Sequence, residues 1–109
     1  MLQVRFEQSE LTLIVTPITP RLDAAVALEF RDALLGPARE RSAVVVDLVH
    51  VAWIDASGLA ALVSVMKAMR PGTELRLARA TPAVRALLAR TGLDEVLRPV
   101  EGSAHPLLV

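Results

Sequence analysis

Apolar and polar positions alternate over residues 2–6 (Leu2-Gln3-Val4-Arg5-Phe6), the period-2 pattern of a strand with one buried face. After a polar stretch at residues 7–10, Leu11-Thr12-Leu13-Ile14-Val15 reads as a second strand, and the short link predicts an antiparallel hairpin. Pro17 and Pro20 are expected to stop that strand, because proline has no N–H for a ladder. The period then changes. Val26, Phe30, Ala33 and Leu34 recur at helical spacing, and the helix is expected to end near Gly36-Pro37 or a little later. Asp23, just ahead of this run, is read as its N-cap or first-turn acid, since a carboxylate there accepts from free N–H groups. Arg39-Glu40-Arg41 is read as a solvated helix end.

Residues 44–69 organise the rest of the chain. Val44-Val45-Val46 is a short apolar run, as in a strand buried on both faces. A connecting segment with the only Trp, Trp53, leads to Asp55-Ala56-Ser57-Gly58. Leu59, Leu62, Val63, Met66 and Met69 then form one helical stripe. Ser57 therefore stands where a strand hands over to a helix, among N–H groups without intrahelical partners and in a dipole that favours negative charge. A group there is placed to carry a phosphate or to face a partner. Asp55 is an alternative cap for the same helix. Trp53 is read as a core residue packing beneath this turn. Downstream, Pro71-Gly72 marks a turn and Leu75-Arg76-Leu77 a strand. Thr81 and Pro82 open a helix whose apolar face is Val84, Leu87 and Leu88, and Gly92 ends it. A last short strand is expected within residues 96–100, held to a sheet edge by Pro99. Strands alternating with helices after a hairpin predict an α/β fold: a mixed β-sheet with helices packed on it, and right-handed crossovers that put the helices on one side.

Composition narrows the function. At 109 residues with 53% hydrophobic positions, the chain is one domain over residues 1–109, with residues 102–109 expected as a loosely structured tail. There are no cysteines, hence no disulfides and no thiolate metal sites. No apolar run is long enough to span a bilayer, so direct membrane insertion is not expected, and no export signal is visible at the start; both suggest the cytoplasm. Formal net charge is zero, without a basic block, which argues against nucleic acid as a partner. His50 and His105 are isolated and read as ordinary polar residues, so no metal is expected. Asp55, His50 and Ser57 include the residue types of a hydrolytic triad, but they crowd into one short segment and Ser57 lacks the Gly-x-Ser-x-Gly elbow. No glycine-rich loop with Lys cradles a phosphate. The chain is expected not to be an enzyme and to need no cofactor.

Asp47-Leu48-Val49-His50-Val51-Ala52-Trp53-Ile54-Asp55-Ala56-Ser57-Gly58-Leu59 resembles the "D-L-S-x-V-x-F-I-D-S-S-G-L" segment of STAS domains, in particular the bacterial anti-sigma factor antagonists. Leu22-Asp23-Ala24-Ala25 is similar to the family's "L-D-x-x", and Leu88-Ala89-Arg90-Thr91-Gly92-Leu93-Asp94 to its "L-x-x-T-G-L-D". The likeness extends over nearly the whole chain to about Arg98. It implies a STAS-like sheet with an N-terminal hairpin, and phosphorylation at Ser57, the residue before the glycine. It also implies a partner surface of Asp23, Asp55, Ala56, Ser57 and Gly58. The implied partners are an anti-sigma factor with serine/threonine kinase activity, which the unphosphorylated protein sequesters, and a phosphatase that resets phospho-Ser57. Departures are Val49 and Ala56 where serine is common, Trp53 for Phe, Val26 where threonine is common, and Thr19-Pro20-Arg21 in place of a glycine-rich approach. Residues 101–109 have no amphipathic pattern, so the family's final helix is expected to be missing or very short. Two alternatives stay open. One is a STAS subunit of an ABC-type lipid transport complex, with Ala60, Ala61, Val65 and Ala68 as a contact face; the other is a scaffold subunit of a larger STAS assembly.

Overall fold

In the computed structural model, residues 1–10 and 12–100 are described. The expected tail and the question of a final helix, both within residues 101–109, lie outside them, as does His105. The strand β1 (Gln3–Ser9) pairs antiparallel with β2 (Thr12–Ile18), which gives the expected hairpin. Its tight turn places Glu10 in the left-handed region, at φ 52°. Both strands outrun the predicted ranges. β2 does not stop at Pro17 but carries it in register opposite Val4. The parallel ladder to the next strand ends at Val15, so a missing N–H at Pro17 leaves nothing unpaired on that side.

β4 (Ala43–Asp47), β6 (Glu74–Ala78) and β7 (Arg98–Pro99) join β2 in parallel, in the order β1-β2-β4-β6-β7. Pro99 lies on the edge strand, as expected. Two short strands escape a sequence reading. β3 (Arg21–Leu22) and β5 (Trp53–Ile54) form a separate parallel pair, with Arg21 opposite Trp53 and Leu22 opposite Ile54. Runs of two residues carry no period to detect.

Among the described residues, three helices cover the sheet: α1 (Ala27–Arg39), α2 (Ala56–Ala68) and α3 (Pro82–Thr91), followed by a 3₁₀ turn (Leu93–Glu95). Phe30 and Leu34 of α1, Leu59, Leu62 and Val65 of α2, and Val84 and Leu88 of α3 share one core with Leu13, Val15, Val44, Val46, Leu75 and Leu77. Those strand residues alternate along their strands, so the helices occupy one face, as right-handed crossovers require. The other face carries Thr12, Ile14, Thr16, Val45 and Arg76. Val45 is only half-buried, so at this position β4 is fully sealed on the helix side alone. Gly36 and Pro37 sit inside the last turn of α1. α3 matches its expected ends: the Thr81 hydroxyl accepts from the Val84 N–H at 3.2 Å, and Gly92 closes the helix at φ 75°.

Candidate phosphorylation and partner-binding site

The site begins with the β3–β5 pair. Its last paired residues are Leu22 and Ile54, so Asp23 and Asp55 follow side by side at the ends of two neighbouring parallel strands, whose usual spacing is about 4.8 Å. Leu22 and Ile54 are fully buried and anchor both strand ends in the core. The two carboxylates then act on different turns. Asp55 is the N-cap of α2: its Oδ1 accepts from the Gly58 N–H at 3.1 Å, while its backbone oxygen accepts from the Leu59 N–H at 3.0 Å. Asp23 does not cap α1, contrary to expectation. Its Oδ1 accepts from the Ala25 N–H at 3.0 Å and its backbone oxygen from the Val26 and Ala27 N–H groups, which closes a turn ahead of the helix. The N-cap position of α1 is Val26, which offers no side-chain acceptor.

Gly58 lies directly over β3. A Cβ at this position would stand 2.1 Å from the Leu22 carbonyl oxygen and 2.9 Å from the Ile54 side chain. Only glycine lets the start of α2 approach the pair this closely. Gly58 is buried and presents no surface of its own; it seats the residues before it.

With Asp55 at the cap, Ser57 is the second residue of α2. It is half-buried, and its hydroxyl makes no hydrogen bond to a described residue. The cap of α2 is thus Asp55, and Ser57 takes no part in it. Ala56 beside it is exposed. Ser57 also opens onto a groove of about 370 Å³ between α1 and α2, lined by Ala24, Leu28, Arg31, Ala60 and Ser64. The structure therefore brings together Asp23, Asp55, Ala56 and Ser57 at one surface, with Gly58 beneath.

Three corrections concern neighbouring residues. Trp53 is not in the core but 44% exposed. In a strand, successive side chains face opposite ways, and Ile54 takes the inward place of β5. The result is an aromatic surface residue two positions before the Asp55 cap. Secondly, Ala61 and Val65 are buried in this domain's own core, so they cannot form the outward face considered for a transport partner. Finally, Val63 and Met66 are only half-buried, while Ala61 and Val65 take the inward stripe of α2.

One pair outside the site has no counterpart in the sequence reading. Asp47 is fully buried at the end of β4 and receives both Nε (2.9 Å) and Nη2 of Arg79, and it also accepts from the Val49 N–H at 3.2 Å. Arg79 reaches it from a left-handed backbone, at φ 54°. The bond to Asp47 raises the Arg79 guanidinium above its ordinary range, against the opposing effect of burial. The stabilisation tied to that shift is present at neutral pH, well below the ordinary guanidinium range, and is lost as pH climbs beyond that range. The pair thereby ties the outset of the loop that leads to β5 onto the β6–α3 connection. The available signal was an acid closing the apolar run Val44-Val45-Val46, since a buried carboxylate needs a partner. Among the described residues, no cluster of acids and histidines suits a metal, and no helix is long and apolar enough to cross a membrane.

Comparison with known proteins agrees with this architecture. The family model described as STAS domain matches residues 3–105. No sequence match was found among curated proteins. Among solved structures, the chain is similar to an anti-sigma-factor antagonist (STAS) domain protein from Planctomyces limnophilus, with 20% identity and a TM-score of 0.85 over 99% of this chain and 97% of that one. An anti-sigma factor antagonist from Mycobacterium paratuberculosis gives 20% identity and 0.80, over 94% and 87%. A sulfate transporter family protein from Wolinella succinogenes gives 24% and 0.67, over 79% and 70%. At these identities the likeness establishes the fold, which antagonists and a transporter-family protein share.

Proposed function

This chain belongs to the STAS domain family, and we propose that within it the protein acts as an anti-sigma factor antagonist, a cytoplasmic binding module switched by phosphorylation of Ser57. The observation that carries this reading is the state of the Ser57 hydroxyl. Asp55 performs the capping that would otherwise occupy a serine here, and Ser57 is left half-exposed with its oxygen unengaged by any described residue. Such a hydroxyl is available to a kinase without disturbance of the fold.

The switch follows from local charge. A phosphoserine adds nearly two negative charges and three acceptor oxygens beside Asp55 and Asp23. At a helix start these are tolerated, because the dipole and the free N–H groups of the first turn offset part of the repulsion. A docked partner gains no such compensation. Its own groups would have to be desolvated against three clustered anions, so modification releases it while the domain stays folded. The unphosphorylated surface of Asp23, Asp55, Ala56 and Ser57 is read as the one that sequesters an anti-sigma factor with serine/threonine kinase activity. That kinase phosphorylates Ser57 with its own ATP and magnesium, and a phosphatase restores the binding form.

The test is calorimetric titration of the cognate anti-sigma kinase with wild type, Ser57→Ala and Ser57→Asp. Wild type and Ser57→Ala should bind alike, and Ser57→Asp at least about tenfold more weakly. Incubation with the kinase, ATP and magnesium should add one phosphate to wild type and none to Ser57→Ala. Equal binding of Ser57→Asp and wild type would sink the charge switch.

A further inference from the structure

We propose that β1 is a homodimerisation edge, through which two copies of this chain join their sheets by antiparallel β1–β1 pairing about a two-fold axis at Phe6. Among the described residues, β1 ends the sheet and pairs only with β2. Its ladder runs without a break from Gln3 opposite Ile18 to Ser9 opposite Thr12, so no bulge twists the edge away. The strand also lacks the proline and lysine residues that commonly block such edges. Phe6, at its centre, is 42% exposed, an unusual position for a large aromatic side chain at a solvated edge.

Proline chemistry settles which backbone groups face outward. Val4 is opposite Pro17, which has no N–H, so this pair cannot exchange both ladder bonds. In an antiparallel ladder the two kinds of pair alternate. Phe6 opposite Val15 and Gln8 opposite Leu13 are therefore of the same kind as Val4 opposite Pro17. The N–H and C=O groups of Val4, Phe6 and Gln8 point to the open edge, ready for a new strand.

Side-chain charge then selects the partner and the register. A second β1 must set outward-facing residues against outward-facing residues. With Phe6 opposite Phe6 of the second copy, Val4 faces Gln8, all seven residues of the strand are paired, and Arg5 faces Glu7 on both sides of the axis. A shift by one ladder repeat in either direction sets Arg5 against Arg5, or Glu7 against Glu7, and shortens the overlap. Like charges directly opposite are destabilising, while opposite charges stabilise. The strand is thus complementary to itself in one register. In that register the two exposed Phe6 rings meet on the helix-side face, because Phe6 shares its face with the core residue Val15. Each dimer would carry two copies of the Ser57 surface.

Sedimentation velocity from micromolar to millimolar protein tests the proposal, with circular dichroism as a check on folding. Wild type should show a concentration-dependent monomer–dimer equilibrium. Arg5→Glu, which sets two carboxylates opposite each other on both sides of the axis, should weaken it about tenfold. Glu7→Arg should do the same alone, and a mixture of the two variants should regain a heterodimer, since every facing pair is then opposite in sign. Gln8→Pro removes an outward N–H without loss of a bond to β2, and should abolish the dimer while the monomer stays folded. A wild type that is monomeric throughout overturns the proposal. So does a dimer that survives both Arg5→Glu and Gln8→Pro, which would place the contact on another face.

Discussion

The starts of α1 and α2 are built from nearly the same parts and behave differently. Each comes after one strand of the β3–β5 pair, and each is preceded by an aspartate at the strand end, Asp23 and Asp55. Asp55 reaches three residues forward to Gly58 and begins a helix at once. Asp23 reaches only two residues forward, to Ala25, and α1 starts after an intervening turn, with Val26 in the cap position. The difference comes from the residues downstream of each acid. Gly58 lets α2 settle onto the Leu22 carbonyl, so helix and strand pair fix one another. Ala24 and Ala25 are exposed and meet no comparable seat. One side of the site is therefore held by cap and backbone contact, and this side carries Ser57. The other side is a turn with one carboxylate bond. Under the proposed switch, the Ser57 hydroxyl would gain from the rigid side, because its approach geometry to a kinase is set before binding.

Substitutions separate the two starts, and the largest effect should fall on the rigid one. Gly58→Ala places a methyl group inside the radius of the Leu22 carbonyl oxygen, a backbone atom that cannot rotate away, and should destabilise the protein by about 3 kcal/mol. Urea denaturation would show this as a midpoint shift. A shift near zero would mean that the seat of α2 is far looser than described. Asp55→Ala removes a true N-cap and should cost about 1 kcal/mol. The same experiment should report it, together with faster amide exchange at Gly58 than in wild type. Asp23→Ala removes only the bond to Ala25 and should cost about half of that or less. Equal losses for Asp23→Ala and Asp55→Ala would erase the distinction between the two starts. A sharper form combines stability with binding: under the proposed switch both substitutions remove a group that faces the kinase, but Asp55→Ala should lower the phosphorylation rate at Ser57 more than Asp23→Ala, because it also disorders the first turn of α2.

Much of the fold is legible in the chain itself, for identifiable reasons. The α3 ends are readable because Thr81, Pro82 and Gly92 act through local backbone chemistry alone. The Ser57 position is readable because a long run of specific residues surrounds it. Pro17 misleads: a proline interrupts a ladder only where a partner strand needs its N–H, and that depends on where the β2–β4 ladder ends. Trp53 misleads because hydrophobicity says that a side chain prefers burial, while strand alternation gives the inward place to Ile54. The inward stripe of α2 is shifted by small residues. Ala61 faces in because other elements come close there, and no pattern in α2 itself reports their approach.

By itself, then, the sequence determined the class of fold, the order of its main elements, and the place of a serine at a helix start, because periodicity, capping and turn chemistry act over a few residues. Tertiary structure alone decided the rest. It set Asp23 beside Asp55 across 32 positions of chain by pairing two strands too short to announce themselves. It freed the Ser57 hydroxyl by giving the cap to Asp55, and it bound Arg79 to a buried Asp47. The strand pairing and the ion pair join segments distant in sequence, and the cap depends on the seat of α2 over β3. The energy of each rests on burial and geometry that only the folded chain supplies.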